Sequence, residues 1–501
     1  VNEEVRVGKD ILELVAGAMY TNPLSVFREY VQNAADSIEL RRRSGADRAG
    51  EVHICFDHQE RSVLIRDNGI SIPKEEFVSR LITFGASKKR GQGLRGFRGV
   101  GRLSGLGFCQ ELVFRGREAG EKRITEVTWD GRVLKQFLKD PNFEGNLQDI
   151  VREAVTVKTF AAADQPDSFF EVEMKKLLRL QSDVLLNEEA VEHYLAHVAP
   201  VPISRTFPLW QELQVLSEKY GNTQPIELRV GSNEEPIERY GAVKRPNYQF
   251  APPALSGLET FELTGIDGEV TAYGWVADHA YAGALPKMSG WGGLRLRAGD
   301  IQVGDLDLAA RLFPEERFNA WTIGEIHVIS NRILPNARRD DFEPSVHYAH
   351  LQDEVSHKAK EISSRIRQNS ILRNRVRTVE ADLKRVDEWV SAASAAKVPR
   401  LVLTAIQNIS RSLLIRASDQ AKHISNTKDA RTLGRKIDDL GLQLSGLNGR
   451  GSRKTTQKTV VLGLEEPMIA AVAAILQSSK SPKDGVALAA AVLDAFEGKL
   501  S

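Results

Sequence analysis

Cysteine is almost absent from this chain: Cys55 and Cys109 are the two in 501 residues. So few thiols exclude a disulfide scaffold. Neither has metal-ligand spacing and both fall in apolar, strand-like runs, which points to structural thiols in a reducing, cytoplasmic setting. Long apolar runs are lacking too, and no stretch is long enough to span a bilayer, so no membrane is expected among the partners. The opening VNEEVRVGKD is too polar for a signal peptide. It does not begin with Met, which is expected of a trimmed start. Net charge is also missing. The 68 Lys and Arg against 67 Asp and Glu leave +1, which excludes a global field toward nucleic acid or anionic lipid but leaves room for a local patch. No internal repeat is evident.

What remains is an ordinary globular composition, 42% hydrophobic and 27% charged, in a chain long enough for about two to four domains. Residues 1–205 alternate helical and strand patterns up to a break at Pro200 and Pro202, and are expected to form a first domain. Strand signals such as IELRV, TAYGWVA and GEIHVIS dominate 206–345, with helical stretches between them, as in an α+β domain. From Ser345 to Val398 there is neither Gly nor Pro. Leu372, Val376, Val379, Leu383, Val386 and Val390 recur there at spacings of four and three, a heptad-like seam within a long helical region over 346–444. The pattern fits a coiled coil between subunits and a helix packed within its own subunit equally well. Residues 445–459 read as a flexible basic linker, and 460–501 as a small Ala-rich helical tail.

Three short stretches carry chemistry. EYVQNAADS, from Glu29 to Ser37, lies on a helix that opens near Asn22 and Pro23. Phe27, Val31, Ala34, Ala35 and Ile38 form its apolar stripe, and Glu29, Asn33 and Asp36 gather on the opposite side. A polar cluster so placed is usually a solvated face. Downstream, EVHICFD and SVLIRDNG form an expected hairpin ending in Asp67-Asn68-Gly69. A carboxylate at a strand end beside Gly can face a cavity and accept a hydrogen bond from an exocyclic amine; taken alone, the tripeptide is more often a turn. The third stretch, GASKKRGQGLRGFRGVGRLSGLG, places seven glycines between Gly91 and Gly107 among Arg95, Arg98 and Arg102, after Lys88 and Lys89. Successive backbone N–H groups at such glycines can cradle an anion. A disordered basic loop is the plainer reading. It is not a Walker A loop, because no Gly-Lys-Ser/Thr closes it.

Taken in order, these stretches resemble the ATP-binding domain of the GHKL superfamily, shared by Hsp90 chaperones, DNA gyrase B, MutL, MORC proteins and histidine kinases. FREYVQNAADSIE is similar to the first motif of the Hsp90 branch, IRDNGI to the adenine motif and GFRGVGRLSGLG to the ATP lid. ILELVAGAMYTNP resembles the segment that precedes the first motif in bacterial Hsp90-type proteins. GGLRLRAGDIQVGD and GEIHVISNRILPNARRDDFE are similar to the Hsp90 and MORC middle domain. The implied architecture is a multidomain α+β chain. It has an N-terminal Bergerat (Hsp90-like) α/β sandwich, a ribosomal-protein-S5-like second domain and an all-α C-terminal region.

The resemblance also implies roles. Glu29 would polarise the attacking water and Asn33 would ligate Mg²⁺ through its side-chain oxygen. Asp36 would support the adenine end, and Asp67 with Gly69 would hold the adenine amine. Lys88, Gly96, Gly99, Val100 and Gly101 would meet the phosphates. Arg339, with Arg338 beside it, would reach the γ-phosphate; read alone, RRDD is a surface salt-bridge cluster. Ser71 stands where the family's second motif has its last glycine, and a positive φ there would strain it. The implied cofactors are ATP and Mg²⁺ and the implied activity is ATP hydrolysis. Three outputs are consistent with it: a chaperone-like or protein-remodelling homodimer with protein clients, a MORC- or MutL-like clamp on DNA serving phage defence or DNA maintenance, and a nucleotide-gated scaffold without turnover.

Overall fold

The computed structural model of the chain describes all residues except 1–21, 46–47, 84–100, 144, 163, 180–181, 222–223, 242–248, 396–397, 425–426, 448–464 and 501. Lys88, Gly96, Gly99 and Val100, the 445–459 linker beyond residue 447, and the segment before the first motif thus lie outside the described residues.

Helix α1 (Ser25–Arg43) starts where Asn22 ends the preceding chain. The Asn22 Oδ1 accepts the Leu24 N–H at 3.0 Å and its carbonyl accepts the Ser25 N–H at 3.0 Å. Arg41, Arg42 and Arg43 fill its last turn, where positive charge complements the helix dipole, and Gly45 at φ +88° turns the chain away. The apolar stripe from Phe27 to Ile38 is buried throughout. It packs against the inner face of a seven-stranded sheet built from β1 (Glu51–Asp57), β2 (Ser62–Asp67), β3 (Glu111–Arg117), β4 (Arg123–Asp130), β5 (Val155–Ala161), β6 (Phe169–Lys175) and β7 (Glu227–Val230).

The sheet order is β5-β4-β3-β6-β2-β1-β7. β1 and β2 form the expected antiparallel hairpin, with Val52 opposite Asp67. The chain does not leave this sheet at the Pro200–Pro202 break: β7 returns to pair parallel with β1, Val52 opposite Leu228. Helices α2 (Lys74–Ile82), α3 (Gly131–Lys139), α4 (Leu147–Ala154) and α5 (Glu188–Val198) complete the domain, with Val52, Ile54, Leu112, Trp129 and Leu195 in its core. Burying each large apolar side chain contributes about 1.5–3 kcal/mol.

After α6 (Trp210–Lys219) and β7, a second sheet forms from β8 (Leu255–Thr264), β9 (Val270–His279), β10 (Gly293–Ala298), β11 (Ile301–Gln302) and β12 (Ile323–Val328), with the short helix α7 (Leu306–Ala310) beside it. Its order is β11-β10-β12-β9-β8. β12 is central, pairing parallel with β10 and antiparallel with β9, and all six of its residues are buried. That burial includes Glu325 and His327, so charge is carried into the sheet. An aromatic cluster of Phe207, Tyr240, Trp275 and Trp291 packs under it, with the Phe207 and Tyr240 rings 4.8 Å apart.

Helix α8 (Val346–Ala395) comes next in the chain. Residues 364–501 form a compact unit of their own, containing the second half of α8, α9 (Arg400–Lys422), α10 (Thr427–Gly446), α11 (Glu465–Ser478) and α12 (Pro482–Leu500). Within it Val379, Leu383, Val386 and Val390 are buried with Val402, Ile406, Val472 and Leu493 of the chain's own later helices. Of the two readings of the heptad-like seam, this stretch realises packing within one chain. The molecule is thus an N-terminal sheet-and-helix domain, a second sheet domain and an all-helical C-terminal region. No helix among the described residues is long and apolar enough to cross a membrane.

Candidate functional site

The polar side of α1 is not a solvated face. Glu29 and Asp36 are buried and Asn33 is half-buried. Periodicity separates polar from apolar positions but does not say what covers the polar side. Burying carboxylates costs free energy unless partners compensate, so this cluster is held in place for a reason.

Glu29 is met from two directions. The first is the second domain. The Arg339 Nε lies 3.1 Å from Glu29 Oε1, with 12% and 6% of the two side chains exposed. The alignment is not that of a hydrogen bond, and Oε1 has no hydrogen-bond donor among the described residues. Arg339 itself sits at φ +58°, a left-handed backbone that a side-chain-bearing residue rarely adopts. Its neighbours enforce it. The Arg339 carbonyl accepts from the Gly304 N–H at 2.8 Å and from Arg28 Nη1 at 3.3 Å, and the Arg338 carbonyl accepts from Arg28 Nη2 at 2.7 Å. Buried Arg28 therefore ties the 336–341 loop to α1 by its backbone, which leaves the Arg339 side chain to face Glu29. The Arg338 side chain points elsewhere: it is exposed, 3.9 Å from Asp340.

The second direction is the end of the glycine-rich stretch. A Cβ on Gly101 would overlap Glu29 Oε2, so the backbone passes against the carboxylate as only glycine allows. Tyr30 pins the residues just after Gly101. Its hydroxyl donates to the Arg102 carbonyl at 3.1 Å and accepts from the Gly105 N–H at 2.9 Å, within a 3₁₀ segment, Gly101–Gly107. Arg102 is half-buried here, and the desolvation pulls its guanidinium down to about 10.

Asp67 is buried at the end of β2, where its Oδ1 accepts the Gly69 N–H at 2.9 Å. A Cβ on Gly69 would overlap Ser37. Ser37 also clasps the turn, its Oγ donating to the Ile70 carbonyl at 2.6 Å while its own carbonyl accepts the Ile70 N–H at 3.2 Å. The DNG turn is thereby seated one helical turn beyond Asn33. Asn68 is structural: its Oδ1 accepts the Glu51 N–H at 2.9 Å and its Nδ2 donates to the Ala49 carbonyl at 2.9 Å. Ser71 is buried and is not among the residues with positive φ, so the strain anticipated for a serine there is not incurred. Its Oγ has no hydrogen-bond partner among the described residues.

The donor set is oxygen only. Glu29 Oε1 is buried without a hydrogen-bond partner among the described residues, and the Asn33 side chain shares the face of Glu29. Among the described residues no three His, Cys, Asp or Glu gather as a metal cage. Such a surface fits a ligand that brings its own donors and a Mg²⁺ ion held mainly by phosphate and water. Of the residues that the sequence singles out, Gly101 and Arg339 lie against Glu29, and Asp67 is seated beside the same helix further along. Sequence reasoning missed Arg28, Tyr30 and Ser37, whose neighbours in the motif drew attention away from them.

Comparison with known proteins agrees with this geometry. The family described as histidine kinase-, DNA gyrase B-, and HSP90-like ATPase matches residues 21–140. The first domain is a GHKL-type ATPase domain. The chain is similar to the chaperone protein HtpG of Coxiella burnetii (strain RSA 331 / Henzerling II), 32% identical over 142 residues, which is 24% of this chain and 22% of the relative. The HtpG of Escherichia coli (strain K12) is 30% identical over 142 residues, 24% of this chain and 23% of the relative. The HtpG of Shigella dysenteriae serotype 1 (strain Sd197) is 29% identical over the same length. The chain thus spans less than a quarter of the length of these curated relatives, and the likeness is one of the N-terminal domain.

Proposed function

We propose that this protein is an ATP-hydrolysing conformational switch of the Hsp90-like kind, working as a chaperone-like or protein-remodelling homodimer. The observation that carries the reading is the ion pair between Glu29 on α1 and Arg339 on the second-domain loop. ATP·Mg²⁺ would supply the scissile phosphoanhydride and the charge that Arg339 answers. Asp67 accepts the base's amine, with Gly69 keeping the backbone close and Asp36 supporting that end. Asn33 offers its side-chain oxygen to the metal. Lys88, Gly96, Gly99, Val100 and Gly101 supply charge and backbone N–H groups to the phosphates.

Arg339 exchanges Glu29 for the terminal phosphate oxygens, a charge-assisted contact that stabilises the transition state. Glu29, released, orients the attacking water and takes its proton. Arg338 remains at the surface as a neighbouring cation. Because Arg339 belongs to the second domain, its choice of partner reports the state of the site to that domain. The test is steady-state ATP hydrolysis by the full chain beside Glu29→Ala and Arg339→Ala. Loss of turnover in both, with nucleotide binding retained, supports the reading; unchanged turnover in Glu29→Ala contradicts it. A protein that binds nucleotide and never turns it over would be the gated scaffold.

A second reading, an ATP-gated clamp on DNA, is favoured by one observation. The net charge of +1 conceals an asymmetry. Residues 364–501 hold 23 Lys and Arg against 13 Asp and Glu, a net +10, and residues 1–363 hold 45 against 54, a net −9. Between Glu361 and Glu380 five arginines occur without an acidic residue. Arginine-rich helices suit phosphate backbones. Hydrolysis accelerated by duplex DNA at low salt would move the assignment to the clamp.

A further inference from the structure

The first domain and the second sheet meet at another place besides the Glu29–Arg339 pair. Glu325, fully buried in the central strand β12, receives four groups. Its Oε2 accepts from Arg239 Nη1 at 2.7 Å and from His327 Nε2 at 3.1 Å. Its Oε1 accepts from the Tyr240 hydroxyl at 3.2 Å and lies 3.1 Å from Arg297 Nε. The two arginines extend the grip to the end of the first domain. Arg297 Nη2 donates to the His197 carbonyl, the last turn of α5, at 2.7 Å. Arg239 Nε donates to the Val201 carbonyl at 3.1 Å, and its backbone N–H donates to the Pro202 carbonyl at 2.8 Å. Tyr240 accepts a left-handed backbone, φ +56°, to aim its hydroxyl at the same carboxylate.

These groups fix the angle at which the second sheet leaves the first domain. β12 runs directly into the 329–339 segment, so that angle determines where Arg339 lands. We propose that Glu325 is a positioning residue for ATP hydrolysis: it locks β12 to α5 and the 201–204 segment and thereby holds Arg339 at the site. The proposal rests on the reading in which Arg339 serves catalysis, and two readouts keep the two separable.

The variants are Glu325→Gln, Glu325→Asp and, in case Glu325→Gln fails to fold, Arg239→Gln, which removes the side-chain bonds to Glu325 and to the Val201 carbonyl while the backbone bonds of residue 239 and the Arg297 pair stay. In the full chain, kcat is expected to fall on the order of 10–100-fold in Glu325→Gln and Arg239→Gln with KM nearly unchanged, because misplacing a reacting group by an ångström costs about that much. Glu325→Asp should recover part of it. Amide hydrogen exchange over 330–341 should accelerate in the same variants, while β3 and β6 of the first sheet keep their protection. A kcat that falls only with the folded fraction, or unchanged exchange over 330–341, would overturn the proposal. If the wild-type chain hydrolyses no ATP, the catalytic reading fails by itself and the exchange result still decides whether Glu325 holds the loop.

Discussion

Glu29 and Glu325 are both buried carboxylates that face arginines where the first domain meets the second sheet, yet their surroundings are built on opposite plans. Each Glu325 oxygen accepts at least one hydrogen bond, from groups on β12 itself and on the 239–240 segment, with the Arg297 guanidinium alongside. Glu29 Oε1 has one unaligned cation and no hydrogen bond among the described residues, and a glycine backbone lies against Oε2. A saturated buried carboxylate fixes structure, because removing any partner leaves a stranded charge. An unsaturated one keeps capacity for a group that arrives later. On the proposed reading the fold places a rigid joint and an exchangeable contact where the first domain meets the second sheet, and the second depends on the first.

The contrast can be broken first at Glu29. Glu29→Ala should lower ATP turnover by roughly 10²–10⁴-fold, the usual range for a general base, with little change in thermal midpoint. Glu325→Gln should differ mainly in stability: about 3–5 kcal/mol lost in urea titration, the cost of stranding Arg239 and Arg297, beside the smaller fall in kcat. If Glu29→Ala destabilised the chain as much as Glu325→Gln, the distinction would fail. Gly101→Ala sharpens the comparison, since its methyl group displaces the Glu29 carboxylate. Turnover should fall by on the order of 10²-fold with the fold intact, as circular dichroism would show.

Acid separates the joint further. Burial pushes the Glu325 carboxyl up, but Arg239 and Arg297 overcome this and hold it well below the usual carboxylate range. A depressed carboxyl contributes stability that is fully present above its unfolded value, about 4.3, and is lost as pH falls toward the folded one. His197, beside the same joint, is held neutral by burial first and by the nearby Arg295 and His193. The unfolded histidine takes a proton below about pH 6.5 that the folded one refuses, so stability declines from that pH downward. Urea midpoints should thus fall in two stages on acidification, and His197→Gln should shrink the upper stage, to which His53, also lowered by burial and then by Arg229, contributes the rest. The smallest effect belongs to Ser71→Gly. With no positive φ to relieve, it should change stability by only about 1 kcal/mol, whereas a left-handed site would have gained.

Much of the first domain was legible in the sequence, because its signals are local. The stripe from Phe27 to Ile38, the β1–β2 hairpin and the Asp67-Gly69 turn each arise from short-range spacing. What covers the polar side of α1 was not legible, since Arg339 arrives from 310 positions downstream. The parallel return of β7 was hidden for the same reason. The Glu325 joint left no pattern: Arg239, Arg297 and Glu325 are single charges in separate strand-like segments, and only the sheet brings them together. Ser71 misled in the other direction, because a motif position occupied elsewhere by glycine suggested a backbone conformation that this chain does not use.

On the proposed reading, Arg339 acts on bound nucleotide from the second domain. Single-turnover hydrolysis of ATP by the full chain, comparing wild type with Arg339→Ala at saturating nucleotide, measures this directly. The prediction is a loss of roughly 10²–10³-fold in the chemical rate with nucleotide affinity nearly unchanged, as for removal of one transition-state donor. An undiminished rate in Arg339→Ala would contradict the claim and return the Glu29–Arg339 pair to an ordinary buried salt bridge.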